Sequence, residues 1–261
     1  MPVAMPDFAA LERLASIAAV AGETVMTFYE TSAGVDRKED SSPVTAADRA
    51  AHACIVQELV DWDSGTPIIS EEGALPAFDQ RRDWKRFWLV DPLDGTKEFV
   101  SGNGEFTVNI ALIVDGEPVL GVVGAPALNT IFLAARGCGS WRCVSGGAFE
   151  PLRWRAEVNP SEAVRVVESR SHWSPELEAF LATLGQVERI KLGSSLKFCR
   201  VAEGTADLYP RFGRTMEWDV AAGDCVYRNS GPRGQQRPSP FIYNQPTLST
   251  PGFVIGQLVR K

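Results

Sequence analysis

Acidic side chains are concentrated in four short segments of the sequence, and each segment lies where a helix or strand is expected to begin or end. Carboxylates that are brought together repel one another, so either their pKa values rise or a divalent cation neutralises them. We interpret the joint pattern as a metal site. The four segments are TAAD, which ends at Asp48, SEEG with Glu71 and Glu72, DPLDGT with Asp91 and Asp94, and EWDVAAGD with Glu217, Asp219 and Asp224.

The residue types indicate which metal such a site would bind. The chain has two histidines, His52 and His172, and its five cysteines form no Cys-x-x-Cys pair. This leaves little material for a histidine-rich zinc site or a serine–histidine relay. A site built from oxygen ligands selects hard cations, so Mg²⁺ is favoured, Mn²⁺ comes second and Zn²⁺ is disfavoured.

The segment WLVDPLDGTKEF, residues 88–99, is suited to such a site. Asp91 and Asp94 can reach the same cluster, Pro92 fixes the turn, and the Leu93 carbonyl is free to coordinate. Taken alone, the segment is more often a surface turn, because Asp and Gly are common turn residues. The metal-site interpretation therefore depends on the other three acidic segments.

Two segments could hold a phosphate beside the metal. Gly95 permits close approach of a phosphate, and the Thr96 hydroxyl could orient a water molecule. GSSLKF, residues 193–198, is predicted to open a helix whose free N–H groups could bind an anion, with a plain serine N-cap as the alternative. Lys197 is most simply a surface charge and Arg211 could be one too, so both are weaker candidates for anion contacts.

Some of the acidic residues also have structural explanations. Asp48 follows Thr45 in a T-x-x-D pattern, which is typical of a capping box at a helix start. For Asp48 both roles can hold at once. Asp219 lies where a carboxylate favours a helix dipole, and Glu72 could be only a solvated neighbour of Glu71.

The elements that must carry these residues alternate between helix and strand patterns, so the predicted fold class is α+β. Apolar residues at helical spacing predict one helix within residues 1–30 and another from about Thr45 to Trp62. Asp115 and Gly116 predict a tight hairpin in an antiparallel sheet. Further along the chain, VRVVES, VERIKL and ADLYP are predicted strands, and helices are predicted near Pro175, at SSLKFCRVAEG and from about Trp218.

The domain boundary is predicted where polar residues and glycines separate the two patterns. We interpret residues 1–150 as an N-terminal αβ half with metal-binding carboxylates. Residues 151–261 would be a C-terminal αβ half with the substrate pocket and the last metal ligand. The two halves are expected to pack closely and to meet near residues 145–160.

Composition argues against several classes of partner. The net charge of −7 and the pI near 5.0 disfavour a nucleic-acid polymer, whose phosphates require clustered Lys and Arg. No apolar run reaches the roughly 18 residues of a membrane span, so no integral membrane segment is expected. Five unpaired cysteines indicate a reducing, cytoplasmic environment, with peripheral association with the inner membrane face left open. The chain is expected to be a monomer or a homodimer.

Six segments together resemble the inositol monophosphatase superfamily, and within it the CysQ branch of 3'(2'),5'-bisphosphate nucleotidases. They are SPVTAAD, SEEG, WLVDPLDGTKEF, NGEFTVNIAL, GSSLKFCRVAEG and LYPRFGRTMEWDVAAG, which span about residues 8 to 224. The resemblance implies a layered αβαβα sandwich. It also implies hydrolysis of 3'-phosphoadenosine 5'-phosphate, a small phosphorylated nucleotide from sulfate assimilation, to AMP and phosphate.

The resemblance also implies a role for individual residues. Two or three Mg²⁺ ions would be involved, and Thr96, assisted by Glu71 or Asp48, would polarise the attacking water. The metal ligands would be Glu71, Asp91, the Leu93 carbonyl, Asp94 and Asp219. The substrate contacts would be Asp94, Gly95, Thr96, Gly193, Ser194, Ser195, Lys197, Arg211 and Asp219.

Two rival functions and two departures from the pattern remain. An inositol monophosphatase or sugar bisphosphatase would share the metal core, and a non-catalytic metal- or nucleotide-binding protein is the more distant alternative. Asp224 stands where this branch often has His, which would add negative charge near an anionic substrate. Residues 225–246 replace the expected end of a helix, a turn and a strand with a loop, so the strand GFVIGQLV is expected to pair poorly.

Overall fold

The computed structural model describes residues 6–29, 35–37, 43–153, 162–232 and 235–257, with residues 35–37 and 43–45 described by their backbone alone. The helices in this part of the chain are α1 (Phe8–Tyr29), α2 (Ala46–Trp62), α3 (Phe78–Arg81), α4 (Thr96–Ser101), α5 (Pro175–Ala182), α6 (Leu196–Ala202) and α7 (Glu217–Arg228). The strands are β1 (Val35–Arg37), β2 (Pro43–Thr45), β3 (Ile68–Ser70), β4 (Arg86–Asp94), β5 (Thr107–Val114), β6 (Glu117–Ala125), β7 (Thr130–Ala135), β8 (Gly139–Val144), β9 (Glu150–Pro151), β10 (Val164–Ser169), β11 (Val187–Leu192), β12 (Leu208–Arg211), β13 (Thr215–Met216), β14 (Ser249–Thr250) and β15 (Phe253–Gly256).

Two larger sheets organise the chain. A seven-stranded sheet has the order β3-β4-β5-β6-β7-β8-β9 and is antiparallel except for the pair β3 and β4. A four-stranded sheet has the order β11-β10-β12-β15. The hairpin predicted at Asp115 and Gly116 joins β5 to β6, and both residues have the positive φ (50° and 77°) that a type I′ turn requires. The hairpin prediction is confirmed.

The seven-stranded sheet is covered on both faces, which is why β5 is buried along its whole length. Val108 and Ile110 belong to the core formed with α1 and α2, whereas Ala111 and Ile113 belong to the core formed with α6 and α7. The four-stranded sheet lies beyond α6 and α7, and α5 packs on its outer face. The order of layers is helix, sheet, helix, sheet, helix, so the predicted α+β sandwich is confirmed.

The predicted loop within residues 225–246 begins later than expected. α7 continues to Arg228, and the described residues from 235 to 248 contain no helix or strand, as their Pro and Gln content indicated. The last strand nevertheless pairs well, because β15 runs antiparallel to β12 from Phe253 to Gly256. For the described part of this segment the expectation of poor pairing was wrong, because β12 supplies a free edge; Leu258 and Val259 lie outside the described residues.

Asp224 lies inside the protein rather than beside a substrate. It is fully buried, and its Oδ2 accepts hydrogen bonds from the Arg228 Nε (2.9 Å) and the Tyr243 hydroxyl (2.8 Å). The Arg228 Nη2 in turn donates to the Phe241 carbonyl (3.3 Å). Asp224 therefore ties α7 to the following loop, and the negative charge expected near the substrate is neutralised by Arg228.

Asp224→Asn is expected to lower the free energy of unfolding by about 3 kcal/mol, because Arg228 would keep a buried charge without its ionic partner. Urea denaturation measures the change. Asp79→Asn is the matched control, because Asp79 is exposed and a surface charge contributes less than about 1 kcal/mol. If the two variants unfold at the same urea concentration, the anchoring role of Asp224 is disproved.

Candidate metal and phosphate site

A bulge at the end of β4 brings two predicted ligands to the same side of the sheet. Asp91 is paired with Asn109 and Asp94 with Thr107, so β4 contains one more residue than β5 across this interval. Without the extra residue, the alternation of side chains would send positions 91 and 94 to opposite faces. The spacing of DPLD, together with the bulge, therefore places both carboxylates on one face of the sheet. A simple surface turn would not need this arrangement, so the bulge favours the metal-site interpretation.

Two other elements bring further carboxylates to this point. Glu71 follows β3, and its backbone N–H donates to the Val90 carbonyl at 3.1 Å, which holds it beside β4. Asp219 lies in the first turn of α7, and its Oδ2 accepts hydrogen bonds from the Thr215 hydroxyl (2.5 Å) and the Met216 N–H (3.0 Å). Asp219 thus caps the helix with one oxygen and leaves the other for a ligand.

We define the acidic cluster as Glu71, Asp91, Asp94 and Asp219. Carboxylate oxygens of Glu71, Asp91 and Asp219 all lie within 4.8 Å of one another. Burial and the charges of Glu71, Asp94, Asp219 and Asp48 raise the pKa of Asp91 well above its usual range. Burial and the Asp94 charge also raise the pKa of Asp219. A divalent cation relieves this repulsion, and oxygen donors fit a hard ion.

Thr96, Leu93 and Asp48 lie around the acidic cluster. The Thr96 hydroxyl donates to the Leu93 carbonyl at 3.4 Å, at the start of α4. Asp48 is buried in the first turn of α2, which begins at Ala46 as predicted, whereas the side chain of Thr45 lies outside the described residues. Asp48 affects the pKa of Asp91 but is not in contact with the cavity that Thr96 lines.

A cavity of about 270 Å³ opens beside the acidic cluster. Asp48, Asp91, Leu93 and Gly193 are predicted site residues that do not line it. The predicted residues that do line it are Glu71, Asp94, Gly95, Thr96, Ser194, Ser195, Lys197, Arg211 and Asp219.

Two glycines allow loops from the two parts of the chain to approach each other. Gly95 has φ 89°, and a Cβ there would lie 3.2 Å from the Ser194 Cβ. At Gly193 a Cβ would lie 2.5 Å from the Glu105 carbonyl oxygen. The Gly193 N–H already donates to the Glu105 carboxylate at 2.8 Å. Gly193 therefore allows this close packing, and its phosphate contact stays a prediction.

Lys197 is buried, so its interpretation as a surface charge was wrong. It is 3% exposed, its ammonium group donates to the carbonyls of Leu192 and Ser194, and it lies 5.4 Å from the centre of the Tyr209 ring. Burial lowers the pKa of Lys197 to about 8. A lysine in this state lines the cavity as a compact and titratable positive charge.

His172 is a cavity residue that the sequence interpretation missed. Its Nδ1 lies 2.9 Å from the Ser169 hydroxyl, and both residues line the cavity. Burial and the positive charges of Arg211, Lys97 and Lys197 lower the pKa of His172. The only sequence signal was its position just after a predicted strand. We define the basic wall as Lys97, His172, Lys197 and Arg211, which line the cavity together.

Comparisons with known proteins agree with this arrangement. The sequence profile of the inositol monophosphatase family matches residues 10–247, and the chain belongs to this family. The family is metal-dependent, in agreement with the acidic cluster.

Among the described residues, none of the helices has the length and apolar character needed to cross a membrane.

The relatives point to one branch of the family. The chain is 49% identical over 218 residues to the 3'(2'),5'-bisphosphate nucleotidase CysQ of Salmonella typhimurium, covering 83% of this chain and 86% of that protein. It is 45% identical over 248 residues to CysQ of Escherichia coli K12, covering 93% and 98%. The crystal structure of CysQ from Bacteroides thetaiotaomicron superposes with a TM-score of 0.79 at 38% identity, covering 94% of this chain and 96% of that one.

Proposed function

We propose that this protein is a Mg²⁺-dependent phosphatase that hydrolyses the 3'-phosphate of 3'-phosphoadenosine 5'-phosphate to AMP and phosphate. One observation carries the proposal: a single cavity is lined by Glu71, Asp94 and Asp219 of the acidic cluster and by all four residues of the basic wall. A substrate with two phosphates matches this lining, because one phosphate can approach the cations and the other can pair with the basic wall. The names of the relatives support the same substrate.

The acidic cluster and the Leu93 carbonyl are the proposed ligands for two or three Mg²⁺ ions, with Mn²⁺ as the second choice. When bound, the ions would polarise the phosphoryl oxygens, stabilise the leaving oxygen and make water a stronger nucleophile. Asp94 and Asp219 both line the cavity, so ligands from both parts of the chain would face the same phosphate.

Thr96 and Glu71 are the proposed catalytic pair. The Thr96 hydroxyl would orient the attacking water, and Glu71 would accept its proton. Both line the cavity, whereas Asp48 does not, which favours Glu71 over Asp48 in this role. Asp48 would act indirectly, through its charge on Asp91.

The proposed substrate contacts come from loops on both sides of the cavity. We assign the reacting phosphate to the segment that begins at Gly95 and to Ser194 and Ser195, which also line the cavity. We assign the second phosphate to Lys197 and Arg211, which the resemblance already implied as substrate contacts, together with His172.

The proposal also includes the domain organisation and the location of the protein. Residues 1–150 and 151–261 are the two proposed halves, and the free cysteines favour the cytoplasm.

Phosphate release from three substrates tests the proposed function. Purified protein with Mg²⁺ is expected to release phosphate from 3'-phosphoadenosine 5'-phosphate with a higher kcat/KM than from inositol 1-phosphate or fructose 1,6-bisphosphate. A higher kcat/KM for inositol 1-phosphate would identify the protein as an inositol monophosphatase, and a higher kcat/KM for fructose 1,6-bisphosphate would identify it as a sugar bisphosphatase. Nucleotide binding in calorimetry, with no phosphate release above background, would indicate a non-catalytic protein.

The pH dependence of kcat/KM tests the role of Lys197. Its pKa is lowered to about 8 in the free protein, so Lys197 is positively charged below this pH and becomes neutral above it. Since kcat/KM reports the ionisation of the free enzyme, it is expected to fall as the pH rises through about 8. Lys197→Met removes the charge at every pH, so its kcat/KM should be low and should lack this alkaline decrease. An unchanged pH profile in Lys197→Met would contradict the assignment.

A further inference from the structure

Asn109 is a buried polar residue directly beneath the acidic cluster. It is 1% exposed, lies in β5 and is paired in register with Asp91. Thr107, two residues earlier on the same strand, is fully buried and is paired with Asp94. Because residues i and i+2 of a strand share a face, Thr107 and Asn109 point to the side on which the two carboxylates lie.

The hydrogen bonds of Asn109 connect ligands from two distant parts of the chain. Its Nδ2 donates to the Asp94 Oδ2 at 3.4 Å and to the Ser195 hydroxyl at 3.1 Å. The Ser195 hydroxyl donates to the Asp219 carbonyl at 2.7 Å, although Ser195 precedes α6 and could have capped it. The side chain of Asn109 therefore lies between Asp94 and the backbone of Asp219.

Thr107 sets the orientation of the Asn109 amide. The Thr107 hydroxyl donates to the Asn109 Oδ1 at 3.0 Å, and its own oxygen lies 2.5 Å from the Ser194 hydroxyl. With Oδ1 occupied by this donor, the NH₂ group must face Asp94 and Ser195. The reverse orientation would direct the amide oxygen at the Asp94 carboxylate, which is repulsive. Every bond in this chain thus has one consistent direction.

We propose that Asn109 is a positioning residue that fixes the Asp94 carboxylate relative to Asp219, and that Thr107 holds its amide in the required orientation. The inference rests on the proposed metal site. A carboxylate held by an outer hydrogen bond is oriented before a cation arrives, so less conformational entropy is lost on binding. An Asn is needed here because an Asp would add a negative charge and could not donate to Asp94.

Metal binding measured without substrate tests this inference. The rise in Tm with Mg²⁺ concentration yields an apparent affinity for the nucleotide-free protein. Thr107→Val keeps the size of the side chain but removes its donor, and Asn109→Leu removes the amide. Both variants are expected to bind Mg²⁺ about 10- to 100-fold more weakly, which is the usual effect of losing an outer-sphere partner. Thr107→Ser keeps the hydroxyl and should recover most of the affinity.

A matched control separates positioning from general destabilisation. Ser140 in β8 is also buried and donates to the Val226 carbonyl of α7 at 2.7 Å, but it does not line the cavity. Ser140→Ala should lower Tm and leave the Mg²⁺ affinity unchanged.

A double-mutant cycle shows whether Asn109 acts through Asp94. In an Asp94→Asn background, Thr107→Val and Asn109→Leu should each change the Mg²⁺ affinity less than about threefold. Wild-type affinity in Thr107→Val, or an equal loss in the Asp94→Asn background, would overturn the inference. If Asn109→Leu does not fold, Thr107→Val decides alone. Wild-type protein that binds Mg²⁺ but releases no phosphate would refute the proposed function and leave the inference to be judged by these affinities.

Discussion

Asp94→Asn is expected to lower kcat/KM by about 10³-fold or more while leaving the fold intact. The substitution preserves the shape of the side chain but removes one of the negative charges that face the cavity beside Asp219. A missing charge at this position weakens the hold on cations that stabilise the phosphoryl group, and such electrostatic contributions are usually the largest in catalysis. Initial rates of phosphate release at saturating Mg²⁺ measure the loss.

Two measurements distinguish loss of the site from loss of the fold in Asp94→Asn. Removing one of several repelling carboxylates should leave Tm unchanged or raise it when no metal is added. The rise in Tm caused by Mg²⁺ should become smaller. Asp79→Asn, an exposed carboxylate on α3, should behave as wild type in both measurements. Turnover within tenfold of wild type in Asp94→Asn would exclude the proposed ligand role.

Thr96→Val is expected to lower kcat by about 10²- to 10⁴-fold, the range by which a positioned proton-transfer group contributes to rate. Valine has nearly the same shape but cannot donate to the Leu93 carbonyl or orient water. The Mg²⁺-dependent rise in Tm should stay close to that of wild type, because the carboxylate ligands are unchanged. Thr96→Ser keeps the hydroxyl and should retain most of the rate.

The two variants at Thr96 test the positioning of water, whereas Asp94→Asn tests the binding of metal. A Thr96→Val protein that loses both rate and Mg²⁺ response would show that Thr96 supports the metal site rather than the water. A Thr96→Val protein with wild-type kcat would remove Thr96 from the mechanism. Single-turnover measurements ensure that the step under comparison is chemistry and not product release.

The fold was predictable wherever the signal was local. The hairpin at Asp115 and Gly116 follows from the need for positive φ in a two-residue turn, and α2 begins one residue after Thr45 as its pattern indicated. The pairing of β15 with β12 was not predictable in this way. It depends on a free strand edge that is formed by residues about 45 positions earlier in the chain.

In the candidate site, too, local sequence predicted some features and only the tertiary structure showed the others. The four acidic segments predicted a carboxylate metal site, and the resemblance to the inositol monophosphatase superfamily implied Glu71, Asp91, Asp94 and Asp219 among its ligands. The bulge that places Asp91 and Asp94 on one face is visible only in the pairing of β4 with β5. His172 gave almost no signal, since one histidine after a strand has no distinctive pattern.

Residue types and their spacing were sufficient for the chemistry of the site: oxygen ligands, a hard cation and no histidine relay. These properties belong to single residues or to neighbours along the chain, so they survive without a three-dimensional structure. The roles of the other charged residues depend on whether they are buried. Lys197 and Asp224 are both charged residues that lie inside the protein, one beside the cavity and the other paired with Arg228. Burial depends on contacts between residues far apart in sequence, and only the tertiary structure specifies those contacts.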